Sequence, residues 1–132
     1  MGVTFSMIKP DAFKQGLSGR ILSDIEQSGF KIVKMRVVRM SRDQAMDFYN
    51  SLSHLPFYND LCDYMSSGPI VALVLEADNA VKRFRDLIGA TDPAMAMCGT
   101  IRSKYGISKG SNAIHGSDSD LSAEREVKFF DL

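Results

Sequence analysis

Only two cysteines occur in 132 residues, too few for a disulfide framework. Cys62 and Cys98 lie in unrelated segments without metal-ligand spacing, so both read as free thiols of a reducing, cytoplasmic setting. Long hydrophobic runs are lacking too. The longest, Ile70 to Leu75, falls far short of the ~20 residues that a membrane helix requires, and no charged stretch followed by an apolar one opens the chain. Neither a membrane segment nor a leader is expected. An excess of one charge is also missing, because 16 Lys and Arg balance 16 Asp and Glu. No whole-molecule field draws such a chain onto nucleic acid or an acidic membrane, and neither is an expected partner. Any anion selectivity must be local. The familiar phosphate loops are absent as well: there is no Gly-x-x-x-x-Gly-Lys-Ser/Thr, no protein-kinase glycine loop and no Gly-x-Gly-x-x-Gly. Nucleotides, if they bind, bind by another plan.

What is present is the composition of an ordinary globular protein, 45% hydrophobic and 24% charged, with a length that suits one domain over residues 1–132. Val3 to Ile8 is short, apolar and β-rich, and Lys9-Pro10-Asp11 stops it, because proline removes a ladder donor and restricts its predecessor. Leu17, Ile21 and Ile25 recur at helical spacing up to Gly29. From Lys31 the pattern alternates through Val33, Met35 and Val37 and slips phase at Val38, which predicts a β-bulge near Val37. Ser41 can cap a helix with Ala45, Phe48, Tyr49 and Leu52 on one face. Pro56 breaks it, and Leu61, Tyr64 and Met65 suggest a short partner helix.

Ile70 to Leu75 has no polar alternation, as expected of a strand covered on both faces in mid-sheet. A helix starts at Asn79, with Val81, Phe84, Leu87 and Ile88 inward, and ends at Gly89. Ala90 to Ser111 lacks sustained periodicity and reads as a long functional loop. A brief strand around Ala113 to Gly116 precedes a last helix from about Ser119, with Ala123, Val127 and Phe130 inward. The order is β-α-β-α-α-β-α-loop-β-α. Without the helical hairpin and the long loop it reduces to β-α-β-β-α-β, an α/β (α+β) ferredoxin-like split βαβ with a four-stranded antiparallel sheet. That architecture hosts many functions, so the chemistry must come from particular residues.

In Asn112-Ala113-Ile114-His115-Gly116-Ser117-Asp118 a histidine sits on a short strand before a tight turn, an arrangement that holds the imidazole rigidly at a sheet end. A neutral imidazole attacks phosphorus near its own pKa of about 6.5, provided that an acceptor on the other ring nitrogen sets the tautomer. Glu126 in the last helix, with Ser117, is the candidate. One histidine near a glycine is more often structural, and the residues alone leave both readings open. Lys9, Arg85 and Arg102 fall in segments near the same sheet end, and polyphosphate transfer needs several cations aimed at phosphate oxygens. Thr91, beside Asp92-Pro93, offers a hydroxyl or merely forms a turn. His54 reads as a surface residue. Phe57 and Tyr58 are either core or a platform on which a base stacks.

The pieces MIKPDA at 7–12, Phe48-Tyr49, Pro56-Phe57-Tyr58, YMSSGP at 64–69, ATDPA at 90–94, GTIR at 99–102 and NAIHGSD at 112–118 occur in order along essentially the whole chain. Together they resemble the nucleoside diphosphate kinase family. The resemblance implies a ping-pong transfer of the γ-phosphate through a phosphohistidine on His115, which Glu126 and Ser117 orient. It implies that Lys9, Tyr49, Arg85, Thr91 and Arg102 hold phosphates and that Asn112 with Lys9 reaches the sugar hydroxyls. It further implies that Phe57 stacks on the base, with Leu61 beneath it. Mg2+ is implied as the nucleotide's counterion, held by phosphates and water with Asp118 in its outer shell and no direct protein ligand. Homo-oligomers built from a common dimer are implied, the hexamer ahead of the tetramer, although the chain stops at Leu132 without the longer tail of many relatives. Lys109 stands where the family usually has an apolar residue closing the base slot, so base preference is expected to differ. Ser51 stands where an acidic residue is common.

Overall fold

The computed structural model describes residues 2–132. Strand β1 (Gly2–Ile8) pairs antiparallel with β3 (Ile70–Ala77) on one side and with β4 (Ile114–Gly116) on the other, and β2 (Lys31–Val38) pairs with β3. The sheet order is therefore β2-β3-β1-β4, the ferredoxin-like arrangement read from the sequence. Its two inner strands explain the unbroken apolar runs, because both faces are covered. On one face α2 (Ser18–Gln27) and α5 (Ala80–Ile88) bury Ile21, Ile25, Phe84 and Ile88 against Ile8, Leu73 and Leu75. The other face packs Phe5, Met7 and Ala72 against α3 (Arg42–Phe48), α4 (Tyr58–Met65) and Phe130, which follows α7 (Asp120–Phe129). Each of these buried Ile, Leu, Met and Phe side chains contributes about 1.5–3 kcal/mol relative to exposure.

Local signals set the helix ends. Ser41 forms a full capping box with Gln44, so α3 begins where a hydroxyl can satisfy a free N–H. Gly89 ends α5 at φ 87°, a left-handed conformation that glycine adopts without steric cost. Ser119 caps α7 through the Ser122 N–H.

Two expectations need correction and two gain detail. The bulge lies between Ile32 and Lys34, not near Val37: two residues there oppose one step of β3, and the register then runs unbroken to Val38. The alternating Val33, Met35 and Val37 lie on an uncovered part of the edge strand, where they are 44%, 55% and 57% exposed. Pro10 does more than stop β1. It takes a first-turn position of a short helix, α1 (Pro10–Lys14), where its missing N–H costs nothing. Finally, the segment from Ala90 to Ser111 is not structureless. A 3-10 turn at Pro93–Met95 and helix α6 (Ile101–Tyr105) interrupt it, the latter capped by the Thr100 hydroxyl.

Candidate active site

β4 has only three residues, yet it fixes His115 tightly. His115 pairs with Met7 in the centre of that short ladder. Gly116 then lets the strand press against α5, since a Cβ there would lie 2.9 Å from Ile88 Cδ1 and 3.0 Å from Phe84 Cδ2. Before the strand, Ala113 adopts φ 77°, a conformation that costs a non-glycine residue on the order of 1–3 kcal/mol and persists only where neighbours impose it. They do. The Ala113 N–H donates to Asp11 Oδ2 (3.1 Å), its carbonyl accepts from the Lys9 N–H (2.8 Å), and Tyr64 Oη donates to the other Asp11 oxygen.

The imidazole is oriented from behind. His115 Nε2 lies 2.8 Å from Glu126 Oε1, and the Ser117 hydroxyl donates to the same carboxylate oxygen at 2.9 Å. An acceptor on Nε2 selects the tautomer protonated there, which leaves the Nδ1 lone pair as the nucleophilic position. Phe48 meets the ring edge-on at a centroid distance of 5.4 Å and limits its rotation. Ser117 is fully buried, and the backbone N–H of Phe5 donates to its oxygen. It is spent on holding Glu126 and is not free to attack a substrate. Ser51 is exposed and gives the ring no second hydrogen bond.

A cleft of about 820 Å³ opens in front of His115 and gathers the residues singled out from sequence: Lys9, Tyr49, Arg85, Thr91, Arg102 and Asn112, with Asp118 and Glu126. Lys9 is buried and donates to Asn112 Oδ1 (2.9 Å), whose amide in turn donates to the Thr91 carbonyl (2.9 Å). Arg102 donates to the carbonyls of Gly89 (3.0 Å) and Ile114 (2.8 Å), which tie its guanidinium to the end of α5 and to β4. Its Nε and the Tyr49 hydroxyl are buried without a partner.

Positive charge is therefore buried at Lys9 and Arg102, while Arg85 stays exposed. Burial, reinforced by Arg102, lowers the Lys9 pKa to about 8 despite the opposing effect of Asp11. Burial and then Arg85 lower that of Arg102 to about 10. Burial and the nearby Glu126 push the Tyr49 phenol upward, so it stays a donor. Among the described residues none of Lys9, Arg85 and Arg102 forms an ion pair with a carboxylate. A polyanion in the cleft would meet three unneutralised cations and two orphaned donors. The Ser122 hydroxyl holds the Asp118 carboxyl below its ordinary range, with Ser119 and Arg85 acting in the same direction. No group of three or more His, Cys, Asp or Glu among the described residues could hold a metal ion.

The other end of the cleft is open. Phe57 is 50% exposed, with Leu61 one helical turn on and Lys109 also lining the cleft. The Phe57-Tyr58 pair thus divides: Tyr58 is core and donates to the Met46 carbonyl, while Phe57 is a free platform. His54 lies on the surface outside the cleft. Two functional supports escaped the residue-by-residue reading. Asp11 and Tyr64 fall within quoted motifs, but their partners lie 53 and 102 positions away.

A model of the nucleoside diphosphate kinase family matches residues 2–131. The nucleoside diphosphate kinase of Citrifermentans bemidjiense is 50% identical over 127 residues, which span 96% of this chain and 93% of that protein. That of Persephonella marina is 46% identical, spanning 96% and 91%. Among solved structures, the Aquifex aeolicus enzyme superimposes with a TM-score of 0.96 at 42% identity over 98% of this chain and 94% of that one. The Halobacterium salinarum enzyme in complex with CDP gives 0.94 at 39% identity, over 97% and 86%.

Proposed function

The chain belongs to the nucleoside diphosphate kinase family, and from that premise we propose that His115 Nδ1 is the atom that carries the phosphate. The reaction is the reversible ping-pong transfer of the γ-phosphate of a nucleoside triphosphate to a nucleoside diphosphate through a phosphohistidine. One observation carries the assignment. His115 has one nitrogen held by Glu126 and the other unpartnered in a cleft that it shares with Lys9, Arg85 and Arg102.

In the first half-reaction Nδ1 attacks the γ-phosphorus in line. The N–P bond forms, the bond to the β-γ bridging oxygen breaks, and the nucleoside diphosphate leaves with the electron pair. No proton has to leave the nucleophile, because the attacking nitrogen carries none. Positive charge developing on the ring is stabilised by Glu126 through Nε2–H, and the Ser117 hydroxyl keeps that carboxylate in place. Arg102 and Lys9 neutralise the charge that accumulates on the phosphate oxygens, with Tyr49 donating from the side and Arg85 and Thr91 at the rim. These groups are fixed before substrate arrives, so little reorganisation is needed during the reaction. Asn112, anchored to both Lys9 and Thr91, faces the sugar hydroxyls together with Lys9. Phe57, supported by Leu61, stacks on the base.

Mg2+ fits the donor set as the nucleotide's own counterion. The cleft offers cations and three carboxylates, Asp60, Asp118 and Glu126, of which the last is engaged by His115. The ion would be held by the nucleotide's phosphates and water, with Asp118 as its outer-shell carboxylate, and it would supply charge neutralisation. The protein is assigned to a reducing, cytoplasmic compartment, in keeping with its two free cysteines. No helix among the described residues is long and apolar enough to cross a membrane. Assembly into a homo-oligomer is supported by the uncovered edge of β2 with Val33, Met35 and Val37 and by exposed Met95, Met97 and Ile107, and a hexamer is placed before a tetramer on the family resemblance alone.

The test is a label chase. Incubation with γ-labelled ATP and Mg2+ should give an acid-labile, base-stable phosphoprotein that loses its label to an added nucleoside diphosphate. Label that never attaches, or that attaches equally to His115→Ala, overturns the assignment.

A further inference from the structure

The open end of the cleft carries a charge for which phosphate transfer has no use. Lys109 lines the cleft with Phe57 and Leu61, and it forms no ion pair among the described residues. Its backbone is fixed by a tight turn. The N–H groups of Ile107 and Ser108 both donate to the Ser111 carbonyl (2.8 and 3.2 Å), and the Ser111 N–H donates to the Ser108 hydroxyl (3.2 Å). Directly after that turn, Asn112 is anchored to Lys9 and Thr91. The ammonium is therefore delivered to the base end from a segment tied to the phosphate end.

We propose that Lys109 biases this site toward guanine over adenine. The proposal rests on the reading of Phe57 and Leu61 as the base platform. A lysine can lay its methylene stem along an apolar ring face while its ammonium reaches past the edge. At that edge guanine presents two adjacent acceptors, O6 and N7, whereas adenine presents N7 beside the N6 amino donor, which an ammonium repels. Arg85 and Arg102 act on phosphates common to every nucleotide and cannot discriminate. Lys109 is exposed, so solvent weakens the contact, and a preference of roughly 3- to 10-fold is expected.

The experiment isolates the second half-reaction. Phosphorylated enzyme, freed of nucleotide, is mixed with GDP or ADP, and the apparent second-order rate of label loss is measured by rapid quench. Lys109→Met should lower the GDP-to-ADP rate ratio roughly 3- to 10-fold, mainly by slowing GDP, while Lys109→Arg should retain it. Raising ionic strength should narrow the wild-type ratio and leave that of Lys109→Met unchanged, since only the former contains a screened charge. A ratio that stays constant in Lys109→Met, with normal phosphoenzyme formation, overturns the role of Lys109 and leaves the phosphotransfer reading intact. A wild-type protein that forms no phosphoenzyme overturns both. Phe57→Ala should slow GDP and ADP alike, and no change in either would remove the base from this platform and the proposal with it.

Discussion

The two ends of the cleft are built differently. At the phosphate end Lys9, Arg102, Asn112 and Glu126 are buried, and each is tied by hydrogen bonds to another element of the fold. At the base end Phe57 is half exposed and Lys109 is exposed. The difference matches what each end has to do. Bond making and breaking need charges and an imidazole fixed to within a fraction of an ångström. Accepting several bases needs only a π face, because stacking is tolerant of sequence. Desolvating Lys9 and Arg102 destabilises the free protein locally, and bound polyanion relieves that cost.

Substitutions at the two ends should therefore differ in size and in kind. His115→Ala should abolish phosphoenzyme formation and reduce transfer by roughly 10⁴-fold or more, the scale at which loss of a covalent nucleophile is felt. Arg102→Ala should cost on the order of 10²–10³ in kcat with every nucleotide, as removal of one preorganised donor does. Thermal melting would separate this from unfolding, because Arg102 also bonds two backbone carbonyls. Glu126→Ala should slow phosphorylation by roughly 10- to 100-fold, and a pre-steady-state burst that keeps its wild-type rate would show that the carboxylate is idle.

The pH profile probes the same end without mutation. Lys9 must be charged to hold phosphate, and its pKa in the free protein is about 8. Deprotonation occurs as pH rises, so kcat/KM should fall by about tenfold for each pH unit above that value. A plateau reaching pH 10 would mean that Lys9 has an ordinary pKa or no role. The smallest effect is expected at the base end. Phe57→Ala should raise KM about fivefold, the low end for a stacking contact, because the ring is half exposed. A drop in kcat of the size seen at Arg102 would erase the contrast between the two ends.

Much of this fold is legible in the sequence because its signals are local. Ser41 with Gln44, Gly89 after α5 and Ser119 before α7 mark helix ends by chemistry confined to one turn. Ile70 to Leu75 announces a covered strand by composition alone. In β2, alternation reports where apolar side chains point, not whether anything covers them. Met35 and Val37 share a face with buried Leu73 and Val71 of β3, but no helix extends that far. Helix α6 has only five residues and depends on the Thr100 cap, too short for periodicity to emerge.

At the site, motifs singled out candidate residues, and only the fold could supply their partners. Asp11 acts on Ala113 and Tyr64, and Lys9 on Asn112, at separations of 53 to 103 positions. Lys109 is the reverse case: its position was legible, while its freedom from any ion pair required the surrounding surface.

The central claim is that Glu126 holds Nε2 and leaves Nδ1 to the phosphate. It is tested most directly by isolating the phosphoenzyme under alkaline conditions, mapping the modified peptide and assigning the phosphorylated nitrogen by phosphorus NMR. The account predicts a single phosphate on His115 Nδ1. Phosphate on Nε2, or on a serine such as Ser117 or Ser122, would contradict it.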